Sequence, residues 1–241
     1  MDDTTSAALL PLTSTVDEQR RDADVALLPV GSLEQHGPFL PLETDTVIAC
    51  TIAQRLAAAH PVRRLPPVTI SCSHEHAAWP GTVSVSARTL HAVVADIAAS
   101  LRRSGVTRLV LVNGHGGNYV LGNVVQETTQ DGPHMALFPT LEDWESAHTA
   151  AGIETPAYDD MHAGEIETSI LLHAHPHLVG AGYAAADELS GDRRRMLTRG
   201  LAAYTDSGVV GRPSLASARK GKGLLDSLVT SFGDCLRAMG S

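Results

Sequence analysis

The chain has 241 residues, 43% of them hydrophobic, enough for one sizeable core and slightly short of two full domains. Its 19% charged residues are too few for a disordered chain, and a net charge of −9 excludes the basic footprint that nucleic-acid binding needs. Cys50, Cys72 and Cys235 are far apart with no CxxC pair, no apolar run is long enough to span a bilayer, and no signal-peptide pattern opens the chain; a soluble cytoplasmic protein with reduced thiols and no membrane partner is expected.

Residues 1–22 read as a loosely ordered N-terminal segment of a single domain spanning 1–241. "VALLPV" (25–30) is a short apolar run bounded by a turn, as expected of a strand buried on both faces. "DTVIACTIAQRLAAA" has helical periodicity, "LPPVTI" reads as a second strand, and "SARTLHAVVADIAASLRRSG" as a helix stopped by Gly105. "TRLVLVN" is a third strand, "GGNYVLGNVVQETTQ" a helix after a Gly-rich turn, "HMALFP" a fourth strand and "AGEIETSILLHA" a helix. "LEDWESAHTAAGIETPAYDD" reads as a loop, and residues 190–230 mix helix with the Gly-rich loop "SGVVGRPSLASARKGKG". Arg193, Arg194 and Arg195 read as a solvated helix face. The alternation of strand and helix predicts an α/β layered fold, a mainly parallel sheet flanked by helices.

In such folds ligands bind beyond the carboxyl ends of the strands. Polar clusters fall there: "GSLEQHG" after the first strand, "NGHGGN" after the third, and "DDMHAGEIETS" entering a late helix. Glu34 and His36 are two apart, so in extended backbone both face one side. Asp45 is either a site acid or a helix cap. His115 lies inside a glycine turn that lacks the Lys-Ser/Thr pair of a phosphate loop, which favours an imidazole held into a cleft over a phosphate cradle. Helical spacing puts His162 and Glu165 on one face and turns Glu167 away, leaving Glu167 a capping or outer supporting role; for Glu165 the alternative is stabilisation of the helix dipole. His173, His175 and His177 read as surface groups at a helix end. Glu34, His36, Asp45, His115 and Glu165 form a mixed N/O set suited to Zn, Mn or Fe, and five donors suit two ions about 3.5–4 Å apart sharing a carboxylate.

At these residues the chain resembles the creatininase (creatinine amidohydrolase) family. "PVGSLEQHGPFLPLETD", "WPGTVS", "LVLVNGHGGN" and "HAGEIETS" occur in family order, with a weaker echo in "GVVGRPSLASARKGKG", from Val25 to Gly223. The resemblance implies a single α/β domain, a two-metal site and a hexamer-like ring of identical subunits. It implies Glu34, His36, Asp45 and His115 as metal ligands, with Asp45 the bridge, and His162 beside the substrate. The creatinine-hydrolysing pattern N-G-H-x-E-N has an acid where this chain has Gly117, and Glu165 is the expected substitute. Trp144 is the nearest match to a substrate-side tryptophan, and Glu75 and His76 are further pocket candidates. The expected activity is metal-dependent hydrolysis of a C–N amide bond in a small cyclic amide, formamide or related metabolite, with His162 donating to the oxyanion or leaving nitrogen. A peptidase of the mycofactocin type ranks behind it, because that branch is expected to carry His at the place of Glu165. A non-catalytic small-molecule binding module is the other alternative.

Overall fold

The computed structural model describes residues 9–240. In chain order the elements are α1 (Thr15–Arg21), β1 (Val25–Val30), α2 (Thr44–Ala59), β2 (Arg63–Arg64), α3 (Ala87–Arg103), β3 (Arg108–Asn113), α4 (Val120–Thr128), β4 (Met135–Phe138), α5 (Leu141–Ala151), α6 (Glu165–Ala174), α7 (Met196–Arg199) and α8 (Ala218–Ala238), with short 3-10 turns between them. The strands form a wholly parallel sheet in the order β2-β1-β3-β4, flanked by helices, which is the fold class expected.

Side chains alternate along each strand, yet both faces are covered, and so the strands read as unbroken apolar runs. Leu27, Val110, Val112 and Phe138 share a core with Ile48, Ile52, Ala147, Ile170, Leu224 and Phe232 of the helices on one face. Leu28, Val30, Leu109 and Leu111 pack with Leu90, Val94, Leu121 and Val124 on the other. Phe138 and Phe232 are fully buried and meet edge to face with centroids 5.0 Å apart, a contact of about 0.5–1.5 kcal/mol beyond burial alone.

The second strand is shorter than "LPPVTI" suggested. Pro66 and Pro67 supply no N–H, so beyond Arg64 the segment is tied to β1 only by Leu65 N–H to Leu27 O (2.8 Å), Val68 N–H to Pro29 O (2.9 Å) and Gly31 N–H to Val68 O (3.0 Å). The two predicted loops contain helices. Thr140 and Asp143 form a reciprocal capping box that starts α5. Helix α8 begins at Ala218, inside the Gly-rich stretch, where Ser217 Oγ caps it by accepting from Lys220 N–H; Gly221 packs directly on the backbone of Ser169 in α6, where a side chain would collide. Within the segment expected to be loose, Ser14 and Asp17 cap α1, which buries no residue; residues 1–8 lie outside the described residues. His175 is not a surface group: it is buried, and its Nε2 lies 2.9 Å from Thr51 Oγ1. Arg193 is also buried, bonded to Ser190 Oγ and Tyr158 O and stacked on the Tyr158 ring. Among the described residues no helix is long and apolar enough to cross a membrane.

From β1 the chain crosses to β2 on one side and then to β3 on the other. The strand order therefore reverses between β1 and β3, and the crevice beyond their carboxyl ends is where this kind of sheet binds ligands.

Candidate metal centre

Three segments meet at that crevice. The loop after β1 supplies Glu34 and His36, the first turn of α2 supplies Asp45, and the loop after β3 supplies His115. Helix α2 approaches so closely that a Cβ on Gly114 would collide with the backbone oxygen of Asp45, so the start of the "NGHGGN" turn must be glycine. All four side chains are almost completely buried.

Asp45 spans two imidazoles. Its Oδ1 lies 3.0 Å from His36 Nε2 and its Oδ2 lies 3.1 Å from His115 Nδ1; Ser32 Oγ–H donates to Oδ2 at 2.6 Å. The far nitrogens of both rings are held by backbone carbonyls. His36 Nδ1–H donates to Glu34 O at 3.0 Å, and His115 Nε2–H donates to Cys72 O at 2.8 Å. A carbonyl only accepts, so these bonds place an N–H on the far side of each ring, and a neutral ring would then turn a nitrogen lone pair on a carboxylate oxygen. Two lone pairs at that distance repel unless a positive charge lies between them. The protonation energetics point the same way. Burial disfavours charge on His36 and His115, but Asp45 and Glu34 outweigh it and push their pKa values up to about 9 and about 10.

Glu34 shows the same demand from the acid side. Its carboxylate is fully buried and neither oxygen accepts a well-aligned hydrogen bond. Oε1 is 3.2 Å from His76 Nε2 and 3.7 Å from His162 Nδ1; Oε2 is 3.2 Å from His115 Nε2. Burial, with the neighbouring Asp45 charge, raises its pKa to about 8. A buried carboxylate without donors costs several kcal/mol unless protonated or matched by a cation. Three donor groups have ligand atoms within 4.8 Å of one another: Glu34 with Asp45 and His115, His36 with Asp45 and Glu167, and Glu34 with His36 and His162. Oxygen and imidazole donors in these numbers fit a divalent transition ion, and Asp45 is common to the first two groups.

The structure corrects the placement of Glu165. Helix α6 begins at Glu165, whereas His162 precedes it in an extended bridge to Val210, and Ala163 between them has a left-handed φ of 50°. The helical spacing that joined His162 to Glu165 does not apply. Glu165 points to α8, where its carboxylate accepts from Lys220 Nζ (2.5 Å), Thr155 Oγ1 (2.6 Å), Thr155 N (2.8 Å) and Glu154 N (3.1 Å). Glu167 turns back toward the centre: Oε2 accepts from Ala163 N at 2.6 Å and lies 4.0 Å from His36 Nε2. Asp160, which the sequence reading does not single out, accepts from the N–H groups of Glu165 and Ile166 at 2.6 and 2.9 Å and so marks the helix start, beyond His162.

His162 donates through Nε2 to Gln35 O at 2.6 Å, leaving Nδ1 toward Glu34; burial and then the charge on His36 hold its pKa well below the ordinary value. His76 is buried against the same cluster, receives Gln35 Nε2–H at Nδ1 (2.9 Å), and is driven by burial and by the His115 and His36 charges to a pKa of about 3. Both rings are therefore neutral. A cleft of about 750 Å³ opens over the centre, lined by His115, His162 and Glu167 and walled by Tyr119, Leu141, Trp144 and Ile166. Glu75 lies on the other side of His115, its Oε1 3.6 Å from His115 Nε2.

The family described as "Creatininase: Creatinine amidohydrolase" matches residues 12–236. A mycofactocin precursor peptide peptidase from Mycolicibacterium smegmatis (strain ATCC 700084 / mc(2)155) is 34% identical over 238 residues, covering 93% of this chain and 89% of its own. The creatinine amidohydrolase of Pseudomonas putida is 29% identical over 171 residues, covering 64% and 66%. A solved structure titled "Creatininase Mn" superposes with a TM-score of 0.80 at 23% identity, over 94% of this chain and 96% of that one. The chain belongs to the creatininase family of amidohydrolases.

Proposed function

We propose that this chain is a metal-dependent amidohydrolase whose substrate amide lies in a peptide. The observation that carries the metal dependence is Glu34: a fully buried carboxylate that accepts no well-aligned hydrogen bond and is ringed by imidazoles. Glu34, Asp45 and His115 would hold one divalent ion, and His36, Asp45 and Glu167 a second. Zn, Mn or Fe suits such donors, and the creatininase matched in fold is a manganese form. When bound there, such ions supply Lewis-acid polarisation of a carbonyl and a water acidic enough to be a nucleophile near neutrality.

The chain's own residues do the rest. Ser32 holds the Asp45 carboxylate in orientation, and the carbonyls of Glu34 and Cys72 hold the two imidazoles. His162, neutral and anchored at Nε2, offers Nδ1 at the floor of the cleft, where it takes a proton from the attacking water and returns it to the leaving nitrogen. Trp144, Leu141 and Ile166 provide an apolar wall for a substrate side chain and keep bulk water from the reacting carbonyl.

Two observations favour a peptide over a small cyclic amide or formamide. The peptide peptidase aligns over about nine-tenths of both chains, whereas the creatinine amidohydrolase aligns over about two-thirds. The reason for ranking a peptidase second was the acid at position 165, and that acid lies outside the centre. The test is a panel of short peptides, lactams and formamides assayed with the chain reconstituted with Zn, Mn or Fe. Amine release from peptides that is abolished by chelation and restored by metal is expected. Turnover confined to lactams or formamides would overturn the substrate assignment. Metal uptake with no turnover of any amide would make the fold a binding module.

A further inference from the structure

A second cleft, of about 520 Å³, opens beside the one over the centre. The "NGHGGN" turn divides them: His115 and Gly116 line the first, Gly117 lines the second, and Tyr119, 58% exposed, lines both. The divide is low. Gly116 is exposed with open space where a side chain would stand, and Gly117 carries none. The 3-10 turn His74–His76 and the segment from Leu197 of α7 to Ala202 supply most of the remaining lining. Two opposite charges line this cleft without meeting. Glu75 is 11% exposed, and its one described polar neighbour is His115 at 3.6 Å, too far for a hydrogen bond. Arg199 is exposed, lies over the Tyr204 ring at 5.6 Å and has no described carboxylate partner. A Cβ on Gly200 would lie 3.5 Å from the Glu75 carbonyl oxygen, so the two segments adjoin, yet no ion pair joins Arg199 to Glu75. The other polar group, His74, is engaged by Ser84 Oγ at 3.2 Å. The arginines just before α7 are also engaged: Arg193 is buried against Tyr158, and Arg194 pairs with Asp192 at 2.7 Å.

We propose that the substrate peptide runs from the centre across the Gly116–Gly117 divide into the second cleft, where Arg199 takes an acidic side chain and Glu75 a backbone N–H. This deepens the peptide reading above and rests on it. A mostly buried acid without a donor needs an N–H, and a guanidinium without an acid suits a carboxylate, which it binds through two parallel hydrogen bonds. A peptide strand with an acidic residue brings both groups at once. The bare glycine backbone lets such a strand pass close to the turn, and Tyr119 gives it an aromatic surface on both sides of the divide. With a net charge of −9, the chain as a whole does not attract an acidic peptide. The preference for an acid is therefore local to Arg199 and confined to one position of the peptide.

The experiment uses fluorescein-labelled peptides of about eight residues, built from Gly, Ser and Ala, in which a single Glu, Lys or Gln is moved along the sequence. Binding to the full-length chain is read by fluorescence anisotropy, and cleavage by the zinc- or manganese-loaded chain by mass spectrometry, for wild type, Arg199→Lys and Arg199→Glu. Wild type should favour Glu over Lys by up to about fivefold, the scale of an exposed ion pair, at one position fixed relative to the bond that is cut. Arg199→Glu should invert that preference, and Arg199→Lys should keep it in weaker form. The effect should fall on KM rather than kcat, because the contact lies away from the reacting carbonyl. Methylating each backbone nitrogen in turn should weaken wild-type binding at or next to the acidic residue, where the N–H offered to Glu75 is lost. A preference for Glu at no position, or one that survives Arg199→Glu, overturns the proposal and leaves the peptide reading intact. Cleavage of lactams or formamides with no peptide cleaved overturns both. A molecular mass by light scattering that changes in Arg199→Glu while peptide KM does not also overturns it, and makes the cleft a face between copies of this chain.

Discussion

Two buried acids, Glu34 and Glu165, have opposite surroundings. Both are fully inaccessible. Glu165 accepts from a lysine, a hydroxyl and two backbone N–H groups. Glu34 accepts no well-aligned hydrogen bond and faces three imidazoles. A carboxylate whose lone pairs are met by protein donors serves the fold; one whose lone pairs are left open next to fixed histidines serves a cation. The same distinction separates Glu165 from Glu167, two residues apart on one helix: the first locks α6 to α8, the second faces His36.

The comparison breaks most severely at Lys220. Its side chain is 6% exposed and its ammonium bonds Glu165, Glu154 and the Leu215 carbonyl. Lys220→Met leaves the Glu165 charge buried without its counter-ion, and should lower unfolding stability by about 3–5 kcal/mol in urea while metal content per folded molecule stays the same. Next in size, Glu34→Gln should reduce turnover by more than about 100-fold and empty at least one ion position, yet leave the stripped protein as stable as wild type or more so. A smaller effect is expected for Glu165→Gln, about 1–3 kcal/mol of stability with unchanged metal affinity.

That loss should depend on pH at both ends. Burial opposes the Glu165 charge, but the bonds from Lys220 and Thr155 hold its carboxyl below its ordinary value of 4.5. A depressed acid contributes stability above its unfolded value and loses it as pH falls through the folded one, so the Glu165→Gln penalty should shrink below about pH 4.5. Lys220 is opposed by burial but raised above 10.5 by Glu165 and Glu154. Its contribution is full below 10.5 and disappears as pH rises through the folded value. Urea melts of both proteins across pH would show a penalty that is greatest between these limits. The smallest effect is at the cleft wall: Trp144→Ala should raise KM for a peptide substrate about tenfold with both ions retained, consistent with losing roughly 1.4 kcal/mol of apolar contact.

Much of this was legible in the residues. Period and turn chemistry locate β1, β3, β4 and the helices between them, and the polar clusters at the ends of β1 and β3 mark the point where the strand order reverses. Three things were not. The capping box at Thr140 and Asp143 was present in the sequence but masked by the surrounding polar residues. The glycines of α8 looked like a loop because their reason, contact with Ser169 and Ala151, lies on other helices. Glu165 and Glu167 were exchanged because the helix begins at Glu165, so His162, in extended backbone three residues earlier, shares no helical face with it. Nor could spacing show that Glu75, forty-two positions before Gly117, would fill the space beside it.

The most direct test of the central claim, that unmet buried acids mark the cation site and met ones do not, is metal stoichiometry of three proteins dialysed in parallel: wild type, Glu34→Gln and Glu165→Gln. Bound zinc or manganese should be equal in wild type and Glu165→Gln and reduced by at least one ion per chain in Glu34→Gln. Loss of an ion from Glu165→Gln with retention in Glu34→Gln would contradict the account.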